Sequence, residues 1–351
     1  MSTRAVSLVT FLALALDGQA QRAALPEGIP VAPIAAVERY GHTNALVIGN
    51  RLLEVTILPS LGRLAGFRFG PLNNVVRFDG PLAAASTAPD PNGAWRNFGG
   101  DWMFPVAQAD WPSYFGQRWP PPPFMDSLPW QGHAWASDDG AQHALLQLAI
   151  GEPLNVRIQR ALRVDPAAAT VTIRQRMERT APSPIAMTLW NISQVPDAQR
   201  VLIPVDEDST FADGYSILDF GPPATHLLHR AAGGVLVLDV KNGTEHKLGS
   251  DSTRAWIAAQ RDGVLMIEHA ATSQPGGEFP DGGCRVELYA NSGLGYTEIE
   301  TLSEERALAP GETMENVLTL SFHHVPAGLD NEALAQHVRM ALGEVTAGSA
   351  P

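Results

Sequence analysis

Residues 156–179 read VRIQRALRVDPAAATVTIRQRMER. Val156, Ile158, Leu162 and Val164 fall on alternate positions, with Arg157, Gln159 and Arg163 between them. A period of two marks a strand with one face against a core. Asp165–Thr170 supplies the turn, and Val171–Arg179 returns with Thr172, Arg174, Arg176 and Glu178 facing outward. The pair reads as an antiparallel hairpin with a basic, solvated outer face. One residue breaks the pattern. Arg160 stands in the apolar row, either as a pocket residue or as an edge position or member of a buried ion pair.

The same signature recurs on both sides. Ala45–Ile48 and Leu52–Leu58 read as an opening hairpin turned at Gly49-Asn50. The turn Pro59-Ser60-Leu61-Gly62 and a strand at Arg63–Phe69 follow. Further strands are expected at His143–Ile150, Pro184–Ser193, Arg200–Val205, Val235–Val240, Thr244–Leu248, Ala255–Ala259, Val264–Ala270, Arg285–Ala290, Tyr296–Thr301 and Met314–His323. Lys241-Asn242-Gly243, between two of these, is a hairpin signal. Leu308-Ala309-Pro310-Gly311 fits a turn built on Pro-Gly. One strong helix comes near the end. Asp330 caps it, Leu334, Val338, Ala341 and Leu342 share a face, and Gly343 stops it. Such a chain is all-β, and a sandwich accounts for it better than a barrel of short hairpins.

Residues 71–142 follow no simple period. Within them, Trp95–Trp135 holds Trp95, Trp102, Trp111, Trp119, Trp130 and Trp135, six of the chain's eight tryptophans. Gly99-Gly100 and Pro120–Pro123 interrupt any regular element. Disordered segments are poor in aromatics, so this is an ordered loop region that either lines a ligand site or packs over one end of a sheet. An indole offers an apolar face and one N–H donor, which suits a sugar ring with apolar C–H faces and polar rims. Asn97, Asp101 and Gln108 would bond its hydroxyls.

The chain has 351 residues and a formal net charge of −13. That charge argues against nucleic acid and anionic membranes as partners. The first twenty residues read as a secretory signal: Arg4, an apolar run from Ala5 to Leu16, and the small-x-small site Gly18-Gln19-Ala20. The expected product is a single domain, 21–351, that is periplasmic or secreted. Its apolar run is too short for a stable span, and no later stretch is a transmembrane candidate. The lone cysteine, Cys284, forms no intramolecular disulfide and reads as a buried, inert thiol.

No glycine-rich phosphate loop, HExxH, zinc-type cysteine pair or Gly-x-Ser-x-Gly elbow occurs. Neither a cofactor nor a metal is expected. What the sequence does place is carboxylates. Tyr296, Glu298 and Glu300 alternate along one strand, as do Arg285, Glu287, Tyr289 and Asn291 on the one before. Two buried carboxylates at i and i+2 raise at least one pKa, and one so raised can take a proton near neutral pH. The alternative is a solvent-facing strand with exposed glutamates.

With these landmarks in order, the sequence resembles the galactose-mutarotase-like superfamily, and within it an uncharacterised bacterial domain family. Pro59-Ser60-Leu61-Gly62-Arg63 resembles its early Pro…Gly-Gly-Arg turn. Asn97-Phe98-Gly99-Gly100-Asp101-Trp102, with Gln108 and Trp111 following, resembles the loop that carries His-Gly-Gly in aldose mutarotases. Thr188–Gln194 falls where those enzymes carry Asn-His before an aromatic. Tyr296–Thr301 and Leu308-x-Pro-Gly-Glu312 resemble the strand and turn of the catalytic glutamate.

The resemblance implies a supersandwich of two large, mostly antiparallel sheets with a sugar cleft on one concave face. It implies proton transfer at the anomeric carbon, as in an aldose 1-epimerase, with Glu300 as base and Glu298 second. Phe98 and Trp190 stand where the family's histidines fall, so the acid would come from His133 or Lys247. A mono- or oligosaccharide would meet Trp102, Trp111, Trp119 and Trp190, with Asn97, Asp101, Gln108 and Gln194 as bonding partners. The alternatives are a non-catalytic glycan-binding protein that has lost the histidines, or a polysaccharide lyase or hydrolase using Asp101 with Glu300.

Overall fold

In the computed structural model, Val156–Val164 and Thr170–Arg179 pair antiparallel, with Leu162 opposite Ile173 and Ile158 opposite Met177. The structure describes residues 31–86, 94–126, 128–241, 245–271 and 278–344. The leader-like residues 1–20 and the Asn242-Gly243 signal lie outside them.

The hairpin belongs to an eleven-stranded sheet. Its strands run, in spatial order, Val31–Ile34, Gln131–Ser137, Gln142–Ile150, Val156–Val164, Thr170–Arg179, Thr313–His324, Val264–Ala271, Trp256–Arg261, Arg200–Pro204, Val235–Asp239 and Leu228–Ala231. A second sheet of ten strands runs Ser216–Asp219, Glu245–Ser250, Val286–Asn291, Tyr296–Thr301, Trp190–Pro196, Asp101–Phe104, Arg63–Phe69, Leu53–Leu58, His42–Gly49 and Val37–Arg39. Neighbours pair antiparallel throughout. Leu46, Ile57, Phe67 and Leu288 of the second sheet meet Ile173, Leu320, Phe322 and Ile257 of the first in one apolar core. This is the galactose-mutarotase-like supersandwich.

The helix Asn331–Ala341 covers the other face of the first sheet. Asp330 caps it by accepting a bond from the Ala333 N–H at 2.8 Å. Leu334, Ala335 and Val338 pack on Leu202, Val237, Trp256 and Ile267. Ala341 is exposed rather than part of that face.

Three local expectations fail. The region 71–142 contains two strands, Asp101–Phe104 and Gln131–Ser137. The first is buried at all four positions, so no alternation betrays it. The strands flanking Lys241-Asn242-Gly243 do not form a hairpin. Val235–Asp239 pairs with Arg200–Pro204 in one sheet, and Glu245–Ser250 with Val286–Asn291 in the other. Within Pro184–Ser193, the strand begins only at Trp190.

Between the sheets lies a polar cluster. Arg160 donates to Asp101 at 2.5 Å and to Asn191 at 2.9 Å. Asn191 and Ser193 donate in turn to Asp101, at 2.8 and 2.9 Å. Asn191 also donates to Glu268 at 3.1 Å, the Ser193 hydroxyl lies 3.3 Å from the same carboxyl, and Thr301 adds a bond to it at 2.6 Å. Burial, reinforced by Asp101, pushes Glu268 up to about 8. Arg160 and Asp101 are therefore not pocket residues, since their side chains point between the sheets and pair with one another.

Removing one partner of a buried pair leaves an uncompensated charge, at a cost of about 3–5 kcal/mol. Arg160→Met is expected to lose that much in chemical denaturation. A loss below about 1 kcal/mol would mean the cluster holds no charge worth pairing.

Candidate functional site

The strands that turn Asp101, Asn191, Ser193 and Thr301 inward must turn their alternate side chains outward. Trp102, Trp190, Ile192, Gln194, Tyr296, Glu298 and Glu300 accordingly share the outer face of the ten-stranded sheet. Register brings more of them together. Glu298 lies opposite Gln194 on one side and Tyr289 on the other, Glu300 lies opposite Glu287, and Tyr289 lies opposite Lys247.

The loops close over this face to leave a cavity of about 560 Å³. Trp95, Trp102, Trp119 and Trp190 wall one side, and Phe220, Tyr289 and Tyr296 the other. Gln108, Lys247 and Glu298 line it as well. Trp119 is 49% exposed, and its ring stacks on that of Trp111 at 6.0 Å and 19°. Trp111 is fully buried and donates to the Val106 carbonyl at 3.1 Å, so it supports the wall without forming it.

Behind the floor sits a charged triad. The Lys247 ammonium lies 3.0 Å from Glu287 and 3.6 Å from Glu300, and 5.1 Å from the centre of the Trp190 ring. Burial works against its charge, but the two carboxyls, Glu287 first, outweigh burial and hold it far above an ordinary lysine. Burial likewise raises Glu287 and Glu300, against the pull of Lys247. Glu300 is 1% exposed and accepts a bond from the Trp190 indole at 2.7 Å.

Glu298 differs from its neighbour. It is only half-buried and faces the cavity. Burial, followed by repulsion from Glu300, pushes it up to about 7. Gln194 donates to it at 2.7 Å, and Arg77 donates to the other end of Gln194 at 3.0 Å. Arg77 also bonds Asn97 and lies over the Tyr296 ring at 5.3 Å. Burial and Glu298 push Tyr296 up to about 12, so its hydroxyl stays a proton donor.

Of the residues singled out from sequence, Trp102, Gln108, Trp119, Trp190, Lys247 and Glu298 meet at the cavity. Glu300, Gln194 and Asn97 lie just behind or beside it. Asp101 lies on the inner face of the ten-stranded sheet, where Arg160 reaches it from the other sheet, which removes Asp101 with Glu300 as a hydrolytic pair. His133 lies on Gln131–Ser137 of the other sheet, stacked on Trp135 at 5.3 Å. It cannot reach the cleft. Phe98 packs with Leu58, Leu61 and Ala65.

Sequence reading missed Trp95 as a wall residue, Phe220, Glu245, Asp281 and Arg77. Glu245 was accessible through its alternation with Lys247. Asp281 and Phe220 lie in irregular turns with positive φ, where no period exists. Cys284 is buried, and burial pushes its thiol far up, so it is held protonated. Among the described residues, no group of three His, Cys, Asp or Glu side chains is arranged to hold a metal.

The fold is galactose-mutarotase-like. Galactose 1-epimerase from Lactobacillus acidophilus NCFM superimposes with a TM-score of 0.52 at 11% identity, over 85% of this chain and all of its own. The Slr1438 protein of Synechocystis sp. PCC 6803 gives 0.55 at 12% identity, over 80% and 96%. A putative mutarotase (YeaD) of Salmonella typhimurium gives 0.52 at 12%, over 80% and 90%. At such identities the likeness is one of fold. No curated protein matches the chain. Residues 44–320 match the model of a domain of unknown function, DUF4380, and the chain belongs to that family.

The shift of Glu298 from 4.5 to about 7 has a sign. The stability its bound proton contributes is present below 4.5 and is lost as pH rises through 7. Glu298→Gln removes that loss. Its Tm is expected to exceed that of the wild type at about pH 8.5 and not at about pH 5. A pH-independent difference would place the titration elsewhere.

Proposed function

We propose that this is an exported protein whose cleft binds a sugar ring and moves a proton at its anomeric centre. The observation that carries the reading is the place of Glu298 on the floor of an aromatic-walled cavity, where burial and Glu300 push its carboxyl up to about 7. A base works best when its pKa lies near the working pH. Indole and phenol rings supply the flat faces that sugar C–H surfaces pack on. The volume is in the range of small-ligand sites.

In this reading Glu298 takes the proton from the anomeric hydroxyl. The role passes to it from Glu300, which is sealed behind the floor and bonded to Trp190. Lys247 acts by its fixed charge and not as an acid, because its two carboxyls keep the proton on it. The proton for the ring oxygen comes from a phenol, with Tyr296 two residues from Glu298 on the same face of the strand. No cofactor enters the scheme. Export is supported by the leader-like residues 1–20, and sequencing the N-terminus of protein recovered from the periplasm or medium tests it. A start at Met1 would remove that part.

A second reading, sugar binding without turnover, is favoured by one observation. Among the described residues, no histidine lines the cavity. One experiment separates the two: NMR exchange between anomers across a panel of aldoses, alongside calorimetric binding. The enzyme reading expects exchange faster than in buffer, rising with pH through about 7 and falling at least about a hundredfold in Glu298→Gln. Binding without acceleration leaves the second reading. Neither binding nor exchange removes both.

A further inference from the structure

We infer that the cleft sorts sugars by charge. It takes one carrying a protonated amine ahead of a neutral sugar, and a neutral sugar ahead of a sugar acid or sugar phosphate. This rests on the sugar-cleft reading above and names the substrate class of that site.

The lining carries three carboxylates, Asp219, Glu245 and Asp281, and the Glu298 carboxyl, against two cations, Lys247 and Arg118. Lys247 is already engaged, 3.0 Å from Glu287 and 3.6 Å from Glu300. Arg77, behind the wall, is engaged with Asn97 and Gln194 at 3.3 and 3.0 Å. A carboxylate or phosphate ligand is ordinarily held by a bidentate arginine or by several converging donors. Here it would meet one exposed arginine at the rim and a wall of like charge.

The opposite charge finds a built site. The Tyr289 ring lies 5.7 Å from Phe220 and 6.2 Å from Tyr296, and its hydroxyl donates to Glu245 at 2.5 Å. Aromatic faces beside a carboxylate attract an ammonium group twice over, through the ring quadrupole and through the charge.

One unanswered group points independently to a polar ligand. Trp102 is 4% exposed and lines the cavity, and its indole N–H meets no acceptor among the described residues. Buried polar groups are rarely left so, and a sugar hydroxyl offers the acceptor.

The test is calorimetric titration of the purified full chain with glucosamine, N-acetylglucosamine, glucose, glucuronate and glucose 6-phosphate. Affinity is expected to fall about five- to tenfold from the amine to the neutral sugars, and again to the anions. The spread should narrow in about 0.5 M salt. Glu245→Gln should abolish the preference for glucosamine over glucose. Equal affinities for amine and neutral sugars, or tightest binding of an anion, would overturn charge sorting and leave the sugar reading intact. Retained amine preference in Glu245→Gln would overturn the assignment to the Tyr289–Glu245 corner. No binding of any sugar would remove the underlying reading, and this inference with it.

Discussion

Glu287 and Glu300 stand directly opposite one another on neighbouring strands, both shut away from water. Like charges so placed repel across the ladder, and a low-dielectric surrounding magnifies the repulsion. The fold keeps them there because Lys247, one strand further along, reaches both. That arrangement fixes everything above it. It holds Trp190 over the triad and sets the negative field in which Glu298 titrates. It also keeps Glu300 out of the cavity, so that Glu298 is left as the group a ligand meets.

The same strands do a second task on their other face. Trp102 and Trp190 are followed in sequence or preceded by Asp101 and Asn191, and the pleat sends the two sets apart. Outward, the aromatic rings wall the cleft. Inward, Asp101 and Asn191 join Arg160 and Glu268 in one network. A charge cluster inside a sandwich is a weak source of stability compared with apolar packing. Its members bond laterally across three strands of one sheet and two of the other, so it ties the sheets together directly beneath the cleft. The cavity floor is thereby rigid where its carboxyls must be placed.

The all-β character and the two-sheet architecture were legible because alternation is strong in Val156–Arg179 and Thr313–His324, where one face is apolar and the other solvated. Alternation fails where both faces are buried. Asp101–Phe104 carries a structural carboxylate on one side and indole and phenyl rings on the other, so its polarity points the wrong way and Asp101 was misread as a cleft residue. Arg160 could be seen as an anomaly from sequence, but only coordinates decide which partner it meets. His133 was drawn into the site by proximity in sequence to the tryptophans, whereas a strand of the other sheet carries it away. The Glu298–Glu300 strand was read correctly as a shared face. Which of the two glutamates meets the cavity depended on Lys247 and Trp190, both distant in sequence.

The account turns on one carboxyl, and its titration can be followed directly. With glutamate side chains carrying ¹³C at the carboxyl, the Glu298 resonance, assigned by its disappearance in Glu298→Gln, should titrate near 7 in the free protein. It should shift when a bound sugar replaces water in the cleft. A midpoint at the ordinary 4.5, unmoved by any sugar, would mean that Glu298 is a solvated surface glutamate and that the cleft is not built around it.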